Sequence, residues 1–130
     1  MTSARDHVVE MSVFDPDCLS RCVLEHATGR WGGLVLAVLV AGPMRFSEVR
    51  RAVGGVTDRM LTQTLQRLET DGLVSRTPHP TVPLRVDYDL TEIGRPIAER
   101  LCGLIEAIYE QLPAIVERQR RAESASQASP

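Results

Sequence analysis

Between Gly54 and Val74 the chain reads GGVTDRMLTQTLQRLETDGLV, and its leucines leave this stretch little freedom. Leu61, Leu65 and Leu68 recur at the spacing of one helix face, so the stretch is predicted to be a helix with a single apolar strip. Thr57 supplies a side-chain oxygen where such a helix needs a cap, and Gly72 ends it because glycine tolerates the left-handed conformation. With residues at 100° intervals, Thr57, Leu61, Thr64, Leu65 and Leu68 gather within about a quarter turn. Arg59, Gln63 and Gln66 point the opposite way, and Thr62 and Arg67 flank them. A short rod of this kind buries one strip against a body and offers the other as a row of hydrogen-bonding side chains.

Three helices are expected before it. Asp17 stands as a cap for a helix running to about His26 and closed by Thr28-Gly29. Arg30 to Val40 is apolar at nearly every position and stops at Gly42-Pro43, which predicts a buried helix. Ser47 then caps a third, short one carrying Val49 and Val53. After Gly72 a strand-like pair flanks Pro78, Pro80 and Pro83, and Val86, Tyr88 and Leu90 alternate with Arg85, Asp87 and Asp89, the period of a half-buried strand. This predicts a two-stranded hairpin with a proline-rich tip. Beyond a Thr91 cap, Ile97, Leu101, Leu104, Ile108, Leu112 and Ile115 make a long amphipathic helix that Pro113 is expected to bend.

Helices, a glycine turn, one further helix and a hairpin form the order of a winged helix-turn-helix, mainly α with a small β-hairpin wing. The outer face of the fourth helix has the vocabulary for reading base edges. Arginine bonds guanine in bidentate fashion, glutamine does the same to adenine, and the threonine methyl meets thymine. Arg59, Thr62, Gln63 and Gln66 are therefore the candidate base-reading residues. Arg45, Ser47, Arg50, Arg51, Thr57 and Arg67 are candidates for phosphate contacts that fix register, and Arg76, His79 and Arg85 for contacts from the wing. The plain alternative is that arginine and glutamine are ordinary solvent-facing helix formers.

Charge has to be read locally, because the whole chain carries a formal net charge of −2 with a pI near 5.9. Arginines exceed acids by three between residues 45 and 85 and fall short by two before that segment and by three after it. The surplus coincides with the fourth helix and its hairpin, which favours the reading face over the plain alternative. Every basic residue apart from histidine is arginine on all three segments, a bias that genome base composition explains better than selection at a site.

The stretch from Cys18 to Gly94 resembles the HxlR-type family of bacterial winged-helix regulators, relatives of the MarR group. The matching pieces are Cys18, GRW around Trp31, GPMRFSEV from Gly42, the spaced ML, TL, LE and DGLV from Met60, and VP, RVDY and LTEIG from Val82. The resemblance covers about residues 18 to 112. It implies a homodimeric transcription factor that puts its fourth helix in the major groove with wings beside it. Asp87 stands where the family has glutamate, and Gly32-Gly33 replaces a more polar pair, which is expected to loosen the second helix.

One domain offers one reading helix, and specific recognition of a pseudo-palindromic operator needs two, about 34 to 36 Å apart. The stripe Leu101, Leu104, Ile108, Leu112 and Ile115 is the candidate dimer surface, with packing inside one chain as its alternative. The expected division is an arm at 1–16, a DNA-binding domain at 17–95, a dimerisation helix at 96–121 and a disordered tail at 122–130, rich in serine, alanine and glutamine. A small-molecule pocket lined by Trp31, Leu101, Ile105 and Tyr109 is a further option. The resemblance makes Cys18 a candidate sensor of oxidants or electrophiles, against which stand Asp15, Asp17 and the alternative of an inert thiol.

No cofactor is called for. Cys18 and Cys22 lack further metal ligands nearby in sequence, the three histidines fall in different elements, and no lysine completes a phosphate loop. An enzyme is not expected. An odd number of cysteines without a signal peptide points to the reducing cytoplasm, and no apolar run reaches the roughly 18 residues that span a bilayer. The expected partners are double-stranded DNA, a second copy of the chain and a small-molecule or oxidant effector. A winged helix serving as a protein-interaction module without specific DNA binding remains the alternative.

Overall fold

The computed structural model describes residues 12 to 128, so the expected arm at 1–16 lies largely outside the described residues. The described elements are α1 (Leu19–Thr28), α2 (Gly32–Leu39), β1 (Met44–Arg45), α3 (Phe46–Ala52), α4 (Asp58–Thr70), β2 (Val74–His79), β3 (Arg85–Leu90) and α5 (Gly94–Ala128). The sheet has three antiparallel strands in the order β1-β3-β2, not the two that were expected. Met44 pairs with Tyr88 and Arg45 with Asp87, so a strand of only two residues ties the start of α3 to the hairpin. Nothing in two residues announces a strand to a pattern of period two, which explains why it was missed.

The core is a single cluster of aliphatic side chains. Val35, Leu36 and Leu39 from α2, Val49 from α3, Leu61, Leu65 and Leu68 from α4, Leu73 and Val74 at the hairpin, and Ala98 from α5 are all buried. Two caps differ from expectation. The first helix is preceded by Cys18 and not by Asp17, whose own N–H instead donates to Asp15 Oδ1 at 3.0 Å. The third starts one residue before Ser47, and Glu48 folds back to accept the Arg45 N–H at 3.0 Å.

The fourth helix begins and ends as its sequence demands. Thr57 Oγ1 accepts the Met60 N–H at 3.2 Å. At the other end Gly72 takes φ +79°, which lets the Leu73 N–H reach the Leu68 carbonyl and the Gly72 N–H reach that of Glu69. The chain turns into β2 with both leucines in the core. Thr91 then closes the loop, donating to the Gly72 carbonyl at 2.5 Å and accepting the Gly94 N–H at 3.0 Å.

Two glycines serve close approach. A methyl at Gly32 would overlap the His26 carbonyl, so the residue expected to loosen α2 is the one that lets α2 start tight against α1. At Gly94 the same methyl would overlap the backbone of Leu73. The last helix corrects the expected tail, since it runs unbroken through Pro113 to Ala128, and of that tail only Ser129 and Pro130 fall outside the described residues. Serine, alanine and glutamine suit a solvated tail, yet alanine and glutamine are also good helix formers that propagate a helix already nucleated. Gly94→Ala is expected to lower stability by about 1 to 3 kcal/mol, the cost of overpacking against backbone that cannot retreat. Urea unfolding read by circular dichroism checks this, and a midpoint equal to the parent's would contradict the close approach.

Candidate nucleic-acid interface

Burial of one strip settles how α4 is rolled. Leu61 and Leu68 are fully enclosed, and Thr64, the one polar residue of the strip, satisfies its hydroxyl on the Met60 carbonyl at 2.7 Å. Arg59, Thr62, Gln66 and Arg67 are exposed on the remaining face, while Gln63 is half-buried. Gln63 and Arg67 turn towards α1, where they share a cavity of about 170 Å³ with His26, Arg30 and Trp31. Thr62 turns the other way and shares a cleft with Arg76 and Tyr88 of the hairpin, and Gln66 lines both that cleft and the side facing His26 and Arg67. The four base-reading candidates thus span one outward face bordered by α1 on one side and the wing on the other.

The phosphate candidates divide by their partners. Arg50 Nε lies 3.3 Å from Asp58 Oδ1, so this guanidinium is bonded to the first turn of α4. Arg51 bonds the Ser47 carbonyl one turn back, at 3.4 Å. Ser47 and Arg45 are exposed and line an open groove of about 620 Å³ beneath the wing tip, opposite Val82, Leu84 and Arg85. Thr57 has its hydroxyl oxygen engaged as a cap. Among the described residues Arg45, Arg51, Arg59, Arg67 and Arg76 have no carboxylate within ion-pair distance.

The wing holds a device that the candidate list omitted. Asp87 accepts from Arg85 Nε at 3.1 Å and pairs with His79 Nε2 at 3.0 Å. Its bond to Arg85 is the largest effect and holds this carboxyl below the ordinary carboxylate range; burial opposes it, and the weaker bond to His79 adds to the lowering. His79 and Arg85 are therefore braced against the strand, and Arg76 is the wing cation left open. The signal was available: Asp87 shares a strand face with Arg85, and cross-strand pairing sets it diagonally from His79.

The expected ligand pocket does not form. Trp31 stacks under the Arg30 guanidinium, 4.8 Å from the ring centroid, and faces the α4 cavity, whereas Tyr109 is exposed on α5. Only Leu101 and Ile105 of that set meet, in a groove of about 320 Å³ with Leu34, Leu104 and Ile108. Their spacing on the helix was right, but Trp31 heads α2 on its opposite side. The dimer candidates also divide, for Leu101 packs on the core while Leu104, Ile108, Leu112 and Ile115 are exposed together with Tyr109 and Val116.

No cysteine is in a disulfide among the described residues. Burial and then the hydrogen bond and charge of Asp15 raise the Cys18 thiol above the ordinary cysteine value, with Asp17 adding to the effect. Among the described residues no three His, Cys, Asp or Glu side chains are placed to hold a metal, and no helix is long and apolar enough to cross a membrane.

A helix pinned by leucines, faced with arginine, threonine and glutamine and flanked by a braced hairpin defines a winged helix-turn-helix DNA-binding protein. Residues 27–116 match the family model described as HxlR-like helix-turn-helix. The HTH-type transcriptional regulator YtfH of Escherichia coli (strain K12) is 42% identical over 114 residues, which cover 88% of this chain and 90% of that one. The solved structure of the transcriptional regulator YtfH from Salmonella typhimurium is similar with a TM-score of 0.78 and 41% identity, covering 84% of this chain and 97% of that one. The redox regulator HypR in its oxidised form is similar at a TM-score of 0.66 and 35% identity, over 72% and 96% of the two chains. The chain belongs to the HxlR-like helix-turn-helix family and is a DNA-binding transcription regulator.

Because the Asp87 carboxyl is depressed in the folded chain, its contribution to stability is complete above the unfolded carboxylate pKa of about 3.9 and disappears as pH falls through the folded value. Asp87→Asn is accordingly expected to melt below the parent at neutral pH and to converge with it in acid. Thermal melts at the two conditions test this, and an equal gap at both would show that the brace is not electrostatic.

Proposed function

We propose that the chain binds a pseudo-palindromic operator as a homodimer in the cytoplasm and represses by occupying it. The observation that carries this reading is the outward row of Arg59, Thr62, Gln63 and Gln66 on a helix whose opposite strip is buried. Arg59 stands at the helix start, the end that reaches deepest into a major groove in proteins of this architecture. The unpaired guanidinium groups of Arg45, Arg51, Arg67 and Arg76 surround that row and suit the phosphates on either side.

The second copy follows from α5. Leu104, Ile108, Leu112 and Val116 follow one another at four-residue steps on a helix that its own body does not cover, and each is between 44% and 54% exposed. An isologous contact along this stripe would set two α4 helices on one face of a duplex. The groove at Leu34 and Leu101 is continuous with the stripe, so the partner would cover the space that an apolar effector would otherwise occupy. An oxidant signal comes to this chain by likeness to HypR, with Cys18 as the thiol of the family resemblance; its raised pKa makes it a slow nucleophile in this state.

Gel-shift titration on the promoter beside its own gene tests the reading face. Arg59→Ala and Gln63→Ala should each lose about tenfold to a hundredfold in preference for the operator over unrelated DNA. Arg51→Ala, which removes a guanidinium without a carboxylate partner, should weaken all duplexes alike and flatten the salt slope. Variants that discriminate like the parent would mean that another face reads the DNA, and binding without any sequence preference would favour a protein-interaction module.

For the dimer, Ile108→Arg is the informative change because Ile108 is 46% exposed in the protomer and its replacement leaves the core intact. Sedimentation should show the parent as a dimer and the variant as a folded monomer with weakened operator binding. A variant that remains dimeric would place the interface elsewhere.

A further inference from the structure

The first helix carries a chemical arrangement that DNA recognition does not use. Four residues apart on α1, Cys22 and His26 lie on one face, with the Cys22 sulfur 3.7 Å from His26 Nε2. His26 Nδ1 is 2.6 Å from Asp71 Oδ2, across a large separation in sequence. The Asp71 side chain is only 7% exposed, and the residue is held at the C-terminal cap of α4 with its N–H on the Arg67 carbonyl. The carboxylate therefore stays fixed while the cysteine, at the other end of the array, is exposed.

Chemistry follows from that order. With Asp71 accepting from Nδ1–H, neutral His26 keeps its lone pair on Nε2, turned towards the Cys22 thiol. Nucleophile, base and orienting carboxylate then stand in the sequence that activates a thiol without a metal. His26 also lines the cavity shared with Arg30, Gln63 and Arg67, whose guanidinium and amide groups can bond a carbonyl oxygen.

We propose that Cys22, His26 and Asp71 form a site at which an α,β-unsaturated carbonyl compound adds covalently to the chain. The Cys22 sulfur forms a C–S bond to the β-carbon while the carbon–carbon π pair shifts between the α-carbon and the carbonyl carbon and the carbonyl π pair moves onto oxygen, giving an enolate. The thiol proton passes to His26 Nε2 and from there to the α-carbon, so nothing is oxidised and nothing leaves. The Cys18 thiol is raised by burial and by the Asp15 carboxylate, and Cys102 is half-buried with its thiol on the Ala37 carbonyl at 3.7 Å, so both are slower nucleophiles than an exposed thiol beside an imidazole.

The test uses the full chain and substoichiometric N-ethylmaleimide, with label at each cysteine followed by peptide mass spectrometry. Cys22 should take the label about tenfold or more faster than Cys18 and Cys102 in the same molecules, within the range that positioned general bases supply. His26→Gln should bring the Cys22 rate down by a similar factor and leave the Cys18 rate unchanged. Should that variant fail to fold, the parent in concentrated urea replaces it: Cys22 is already exposed when folded, so unfolding adds little access and should slow its labelling. A Cys22 rate that matches Cys18, survives His26→Gln or rises on unfolding would overturn the site. No DNA enters the measurement, so its outcome is independent of the operator reading.

Discussion

The structure depends on the burial of Leu61, Leu65 and Leu68 beneath the fourth helix. Each enclosed leucine stabilises by about 1.5 to 3 kcal/mol relative to exposure, and the three share one strip, so a roll of the helix by a single position would expose one of them and draw a polar neighbour inward. No comparable energy acts on the outer face. Arg59 and Gln66 are outward and Gln63 is half-buried because the leucines are inward, so the proposed reading face would inherit its precision from the core. Thr64 shows how strict the strip is, for its hydroxyl is tolerated there only by bonding its own helix at Met60.

The parts of the fold that were legible in the sequence are those fixed by local rules. The strip on α4, the cap at Thr57, the stop at Gly72 and the alternation of β3 follow from side chains within a few residues of one another. What was not legible depends on partners distant in sequence. The strand at Met44–Arg45 exists only because β3 lies beside it, and the need for glycine at 94 exists only because Leu73 comes close. His26 and Asp71 gave no sign of each other across forty-five positions. The end of α5 was misread for a different reason: its composition suits both a solvated tail and a continuing helix, and composition alone does not choose.

Electrostatics explains how an acidic chain presents a basic face. Along the wing, Asp87 neutralises its neighbours, and at the head of α4 Asp58 pairs with Arg50, so these charges are spent within the protein. Arg59 and Arg67 on α4, Arg45 and Arg51 at α3, and Arg76 on β2 are exposed and lack such partners among the described residues. In the proposed complex, counterion release would depend on these open guanidinium groups, not on the total of arginines in the segment. The carboxylates, for their part, hold side chains at fixed places, which a flexible paired or unpaired arginine could not do alone.

The last helix joins these levels. Its first turns are part of the body, with Gly94 against Leu73, Ala98 in the core and Leu101 packed upon it, and only beyond Leu104 does its apolar stripe leave the protomer. Thr91 bonds the carbonyl of Gly72, the residue that ends α4, so the root of α5 and the end of α4 meet at one turn. In the proposed dimer, a helix continuous from that turn to Ala128 would act as a lever, and whatever angle two copies adopted along the stripe would be imposed on the separation of their α4 helices. The spacing of operator half-sites would then be set less by the residues that touch DNA than by the backbone junction at Gly72, Thr91 and Gly94, where a shift of a fraction of an ångström would be multiplied along the helix.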